Sequence, residues 1–127
     1  SPVRGIATSG WRGRSLSLGI ADAVTVLAKS AANADVAATL IANDVNVDFP
    51  GIKKRSASEV TDESDLGMIP VTVAVPTLPE DKVFFALEQG AKTAREFINS
   101  GKITAAYLSL QKQSLVIENN LKGLINE

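Results

Sequence analysis

A mainly α-helical fold is what the sequence predicts: a small bundle of about four helices ending in an antiparallel hairpin, with one short edge strand or extended segment at 68–75. Three observations predict it. Apolar residues recur at spacings of three and four over two long stretches, which marks one face of a helix. The apolar fraction is 45% with aromatics only 5%, so Ala, Val, Leu and Ile must fill the interior, and small side chains suit closely approaching helices. At 127 residues the chain suits a single core. Its organisation reads as an extended N-terminal arm at 1–14 followed by one helical domain at 15–127, with a long loop at about 45–67.

The arm holds Pro2 and three glycines, Gly5, Gly10 and Gly13, around Trp11, which is too irregular for a helix. From Ser15, a candidate N-cap, Leu16, Ile20, Ala23, Val24, Leu27 and Ala31 fall on one helical face. A second helix from about Asp35 to Asp44 places Val36, Leu40 and Ile41 on one side, with Asn33 or Asp35 as its cap. Pro50-Gly51, the basic run Lys53-Lys54-Arg55 and an acidic Ser/Thr-rich stretch then read as loop. A basic triplet followed by serine also fits a protease cleavage site, although such runs are common on solvated loops.

Met68 to Val75 alternates, with Ile69, Val71, Val73 and Val75 on one face, while Pro70 and Pro76 confine the segment to a sheet edge or to an extended path across helices. Pro79-Glu80-Asp81 has the chemistry of a helix first turn, with Thr77 a candidate cap. Val83, Leu87, Ala91, Ala94 and Ile98 form the stripe of that helix, Gly90 marks a close crossing, and Gly101 ends it. Ile103, Tyr107, Leu110, Ser114, Ile117, Leu121 and Leu124 follow the alternating four-three spacing of a coiled-coil seam, so the last helix is expected to fold back on its predecessor. Leu115 and Val116 fall off that seam, which gives the helix a second apolar contact.

The chain carries no histidine and no cysteine, which excludes thiol nucleophiles, zinc-thiolate sites, iron–sulfur clusters and disulfides. Catalysis would have to rest on carboxylates, lysine or hydroxyls. Glu80/Asp81 reads as helix N-terminal charge and Asp62/Glu63 as solvated loop, so no catalytic, cofactor-binding or metal-ligating residue is assigned. Asp44, Asp48, Asp62, Glu63 and Asp65 could gather around calcium, but their spacing matches no EF-hand loop. Thirteen basic against fourteen acidic side chains leave a net charge of −1, which supplies no global field for nucleic acid. Locally, Arg4, Arg12 and Arg14 surround Trp11; an arm with a packed tryptophan and wet arginines outweighs a base-stacking one. No apolar run reaches the roughly 20 residues that cross a bilayer. The start at Ser1-Pro2 fits a processed, exported protein slightly better than a cytoplasmic one.

Asp65 to Val75 (DLGMIPVTVAV), followed by Gly90 to Lys102 (GAKTAREFINSGK) and an Ala/Leu-rich stretch, resembles the YfdX family over about residues 65–125. The resemblance implies a periplasmic, largely helical, oligomer-forming, stress-associated protein with no catalytic residues to carry over.

The function expected is therefore that of a non-catalytic interaction protein acting through self-association or by binding another protein. The contact residues expected are Trp11, Arg12, Arg14, Ile103, Tyr107, Leu110, Ile117, Leu121 and Leu124. A structural subunit of a virion, pilus or filament, exchanging the arm with a neighbour, is the alternative, and a small-molecule enzyme of unusual chemistry the lesser one.

Overall fold

The computed structural model describes residues 3–12, 16–61 and 67–119. These residues form a mixed α/β fold of six strands and three helices, the strands making two antiparallel sheets. The expected helical bundle is thus overturned. The main sheet has the order β1-β2-β5-β6, from β1 (Gly5–Ser9), β2 (Ala23–Ala28), β5 (Ala105–Leu110) and β6 (Gln113–Glu118). Helix α1 (Ala31–Asp44) lies against β1 and β2, α3 (Glu80–Asn99) lies against β5 and β6, and the two helices touch each other. Between them in sequence come β3 (Lys53–Ser56), the single turn α2 (Ala57–Val60) and β4 (Pro70–Ala74).

The stretch expected as the first helix is β2. Val24, Val26 and Ala28 face the core and Ala23, Thr25 and Leu27 face out, a period of two that the three-four spacing of Ala23, Val24 and Leu27 conceals. β-branched Val24-Thr25-Val26 suits the pleated geometry. β2 pairs on one side with β1, in register from Gly5↔Ala28 to Ser9↔Val24, so part of the expected arm is an edge strand of the sheet. On its other side it pairs with β5, from Ala23↔Ser109 to Leu27↔Ala105.

The coiled-coil seam is overturned in the same way. Ala106, Leu108 and Leu110 point into the core, Gln111-Lys112 turns the chain, and Leu115 and Ile117 follow on β6, with Leu108 paired opposite Leu115. Leu115 and Val116, which fit no helical seam, sit on opposite faces of a strand. The turn is built with care: Gln111 has φ +53°, and its backbone N–H donates to Asp22 Oδ2 at 2.6 Å. Its side chain accepts from the Leu78 N–H at 3.0 Å and donates to the Pro76 carbonyl at 2.8 Å, tying the β4–α3 linker to the hairpin.

Helix α1 starts earlier than expected and is capped by Ser30, whose Oγ accepts from the Asn33 N–H at 3.1 Å. It buries Ala34, Ala37, Ala38, Ile41 and Ala42, whereas Val36 and Leu40, expected on the inner side, stay exposed. An alanine face brings the helix close to its neighbours: at Gly19, in the loop before β2, an added Cβ would stand 2.1 Å from the Ala42 carbonyl oxygen. The third expected helix is present as α3, with Glu80 and Asp81 in its first turn and Pro79 in the cap position, where no side chain caps it. Gly90 is indeed a close crossing, since a Cβ there would lie 2.3 Å from Val45 Cγ2 and 3.0 Å from Leu108 Cδ2.

The expected loop at 45–67 contains β3 and α2. β3 supplies β4 with its partner, from Lys53↔Ala74 to Ser56↔Pro70, with a bulge between Lys53 and Lys54. This hairpin is joined to the main domain by the Thr72 N–H donating to the Ser17 carbonyl at 2.9 Å.

Candidate functional site

The residues expected to make contacts are dispersed by this fold. Ile103 and Leu110 are core, Ile117 packs against the core, and Tyr107, alone among the described residues of the hairpin group, is exposed, at 44%. Trp11 and Arg12 form the turn after β1, with the Arg12 guanidinium 5.1 Å over the indole and Arg12 Nε 3.6 Å from Asp22. The Trp11 indole nitrogen is buried and has no hydrogen-bond partner among the described residues. Arg14, Leu121 and Leu124 lie outside the described residues. Two other arrangements are brought together by the fold.

The first is the open face of the sheet. Both helices cover one side, and the other carries Ile6 and Thr8 from β1, Ala23, Thr25 and Leu27 from β2, Ala105, Tyr107 and Ser109 from β5, and Ser114, Val116 and Glu118 from β6. The registers align Ile6 with Leu27 and Ala105, and Thr8 with Thr25, Tyr107 and Val116, in two rows across the four strands. Thr8 Oγ1 and Thr25 Oγ1 share a hydrogen bond at 3.0 Å. Among the described residues of the four strands, Glu118 is the only charged one on this face, with Arg4 and Lys29 at its margin just beyond β1 and β2; Ile6 is 68% and Val116 61% exposed. An antiparallel sheet that meets water ordinarily dresses its outer face with polar side chains, as Thr8, Thr25, Ser109 and Ser114 do here, and exposed Ile6 and Val116 depart from that pattern.

The second is a groove of about 790 Å³ between the end of α1, the segment that follows it, and α3. One wall comes from Phe85, Gln89, Lys92 and Thr93, spaced i, i+4, i+7 and i+8 along α3. The other holds Asn43, Asp44, Asn46, Asp48 and Phe49, with Ile52 and Lys54 beyond. Thr93 Oγ1 donates to Asp44 Oδ2 at 2.5 Å and joins the walls. Lys54 Nζ donates to the Leu18 carbonyl at 2.6 Å, and burial lowers its pKa from the ordinary lysine value. Asn43 Oδ1 accepts from the Leu18 N–H at 3.0 Å and from Ser17 Oγ at 3.3 Å. Among the described residues no ion pair engages Lys92 or Asp48.

Asp44 and Asp48, considered above for calcium, are both in this groove, but among the described residues no three potential ligands gather around a metal position. Asp62, Glu63 and Asp65 lie outside the described residues. The face residues Ile6 and Thr25 and the groove residues Phe85, Gln89 and Lys92 went unnoticed in the sequence, and Val116 was read as a second contact of a helix. The period-two alternation of 5–9, 23–28 and 113–118 is the signal for the face residues, and the groove, joining segments some forty residues apart, left none. No helix among the described residues is long and apolar enough to cross a membrane.

Fold and surfaces define the class: a two-layer α/β domain with one sheet face covered by helices, the other open, and a mixed-charge groove on the helical side. A family model described as AbpE bacteria matches residues 1–118, and the chain belongs to that family. No curated protein and no solved structure matches the chain. The family is a different one from YfdX, and the match has no bearing on that resemblance.

Proposed function

We propose that the protein is a self-associating interaction domain whose contact surface is the open face of the main sheet, and that the occupant of this face is a second copy of the chain. The observation that carries this reading is the exposure of Ile6, Tyr107 and Val116 on a face whose described strand residues carry a single charge. A face with so little charge meets its own copy with little like-charge repulsion, and a two-fold pairing makes each surface its own complement. Apolar side chains in a contiguous exposed patch mark contact surfaces.

Size sets the strength. Four strands at about 4.8 Å and six residues at about 3.4 Å span roughly 19 by 20 Å. Such a face falls short of the roughly 800 Å² per partner in a standard interface, so the dimer is weak and reversible. Light scattering across about 1 μM to 1 mM covers affinities of roughly −8 to −4 kcal/mol. Wild type shifts from monomer toward dimer across that range, while Val116→Glu stays monomeric with an unchanged circular dichroism spectrum. A wild-type protein that remains monomeric throughout, or a Val116→Glu variant that dimerises equally well, refutes the proposal.

A further inference from the structure

The groove shares no residue with the open sheet face, and its chemistry is different. Two lysines and two aspartates make it neutral in sum, yet their engagements are uneven. Asp44 holds the Thr93 hydroxyl and Lys54 holds the Leu18 carbonyl, which leaves Lys92 on one wall and Asp48 on the other free of ion pairs among the described residues. Gln89 accompanies Lys92 one turn away, and Phe85, 53% exposed, precedes Gln89 by another turn. Asn46 Oδ1 accepts the Val47 N–H at 3.0 Å, so its amide nitrogen remains a donor for the groove, as does that of Asn43.

A pocket of this volume that pairs a cation and an anion on opposite walls with an exposed ring recognises a molecule carrying both charges and an apolar group. Phe85 and Lys92 stand seven residues apart, about 10 Å along the helix, and the lysine side chain leans back toward the ring. A dipeptide backbone spans roughly 7 Å. We propose that the groove is a binding site for a dipeptide-sized zwitterion with an aromatic side chain. The carboxylate is held by Lys92 and Gln89, the ammonium by Asp48, and the ring rests on Phe85 with Phe49 opposite. Asp44 is a positioning residue that fixes the two walls through Thr93.

The test is NMR titration of the full chain with glycyl-phenylalanine, its N-acetyl derivative, its C-terminal amide, free phenylalanine and inorganic phosphate, each to about 10 mM, where even a Kd of millimolar order is visible. Glycyl-phenylalanine shifts the amide resonances of Gln89, Lys92 and Asp48. N-acetylation, amidation, Asp48→Asn and Lys92→Gln each weaken binding at least tenfold, and free phenylalanine binds more weakly than the dipeptide. Amide spectra of the variants matching wild type away from the groove show that they fold. Absence of groove shifts with the dipeptide overturns the proposal, as does equal binding of the acetylated or amidated form, or groove shifts with phosphate alone.

Discussion

Replacing Gly90 by alanine puts a helix-favouring residue where the helices cannot separate. In an exposed helix interior the change would stabilise the protein by about 1 kcal/mol. Here the new Cβ lies 2.3 Å from Val45 Cγ2, and reaching the ordinary carbon–carbon separation of about 3.5 Å requires a shift of more than about 1 Å. Val45 cannot easily yield: it is fully buried and β-branched, its N–H is bonded to the Ile41 carbonyl, and its carbonyl accepts from the Ile20 N–H. Overpacking of this kind costs roughly 1–3 kcal/mol, and the severity of the contact favours the upper end. The two effects oppose, and the net expectation is a loss of about 1–2 kcal/mol, or roughly 5 °C in Tm. Urea denaturation of wild type, Gly90→Ala, Val45→Ala and the double variant measures it. Because Val45→Ala removes the obstructing methyl, the double variant should be more stable than the sum of the singles by about 1–2 kcal/mol. A stabilised Gly90→Ala protein, or strict additivity, would show that α3 does not cross α1 at this point.

Other consequences follow from the same geometry. Gln111→Ala loses two hydrogen bonds between the β5–β6 turn and the Pro76–Leu78 linker, and should cost about 1–3 kcal/mol in the same denaturation assay; a neutral substitution would contradict that tie. Glu59 receives a 2.7 Å hydrogen bond from the Ser56 hydroxyl, which, with Arg55 nearby, holds its carboxyl below the usual range. A depressed acid stabilises the fold above its unfolded pKa of about 4.3, and that contribution is lost as pH falls through the lower folded value. Carbon-detected NMR should therefore place Glu59 below the ordinary glutamate range in wild type and move it up in Ser56→Ala; an unmoved titration refutes the assignment. On α1, Val36→Ser should change stability by less than about 0.5 kcal/mol, whereas Ala38→Leu should cost about 1–3 kcal/mol, as thermal melts would show.

Only part of this was legible in the sequence. α3 announced itself through Pro79-Glu80-Asp81, a stripe of period 3.6 and Gly101, because a long amphipathic helix repeats its signal many times. The strands did not. In β5 the inward residues are Ala106, Leu108 and Leu110 and the outward ones Ala105, Tyr107 and Ser109, so small residues on both faces blur the alternation, and Ile103, Tyr107 and Leu110 happen to fall four and three apart. β2 hides in the same way, since Leu16, Ile20, Ala23, Val24 and Leu27 satisfy a helical template while Val24, Val26 and Ala28 do the packing. Long-range pairing decided between the two, and a single strand carries no record of its partner. α1 misled for a different reason: its inner face is alanine, and larger side chains lie outside. Tyr107 was singled out as a contact residue of a helical seam, whereas it stands exposed on the outer face of a strand. The groove was unreadable because it joins 43–54 to 85–93 through the fold alone.

The most direct test of a paired sheet face uses the absence of cysteine in the chain. Thr25, near the middle of the open face, is replaced by cysteine in one variant, and Glu96, exposed on the helical side, in another. Both are treated with a bis-maleimide linker of about 10 Å, the spacing of two packed sheets. Face-to-face pairing yields covalent dimer from Thr25→Cys and little from Glu96→Cys, with the yield rising with protein concentration. Equal cross-linking of the two variants, or none from Thr25→Cys, would contradict it.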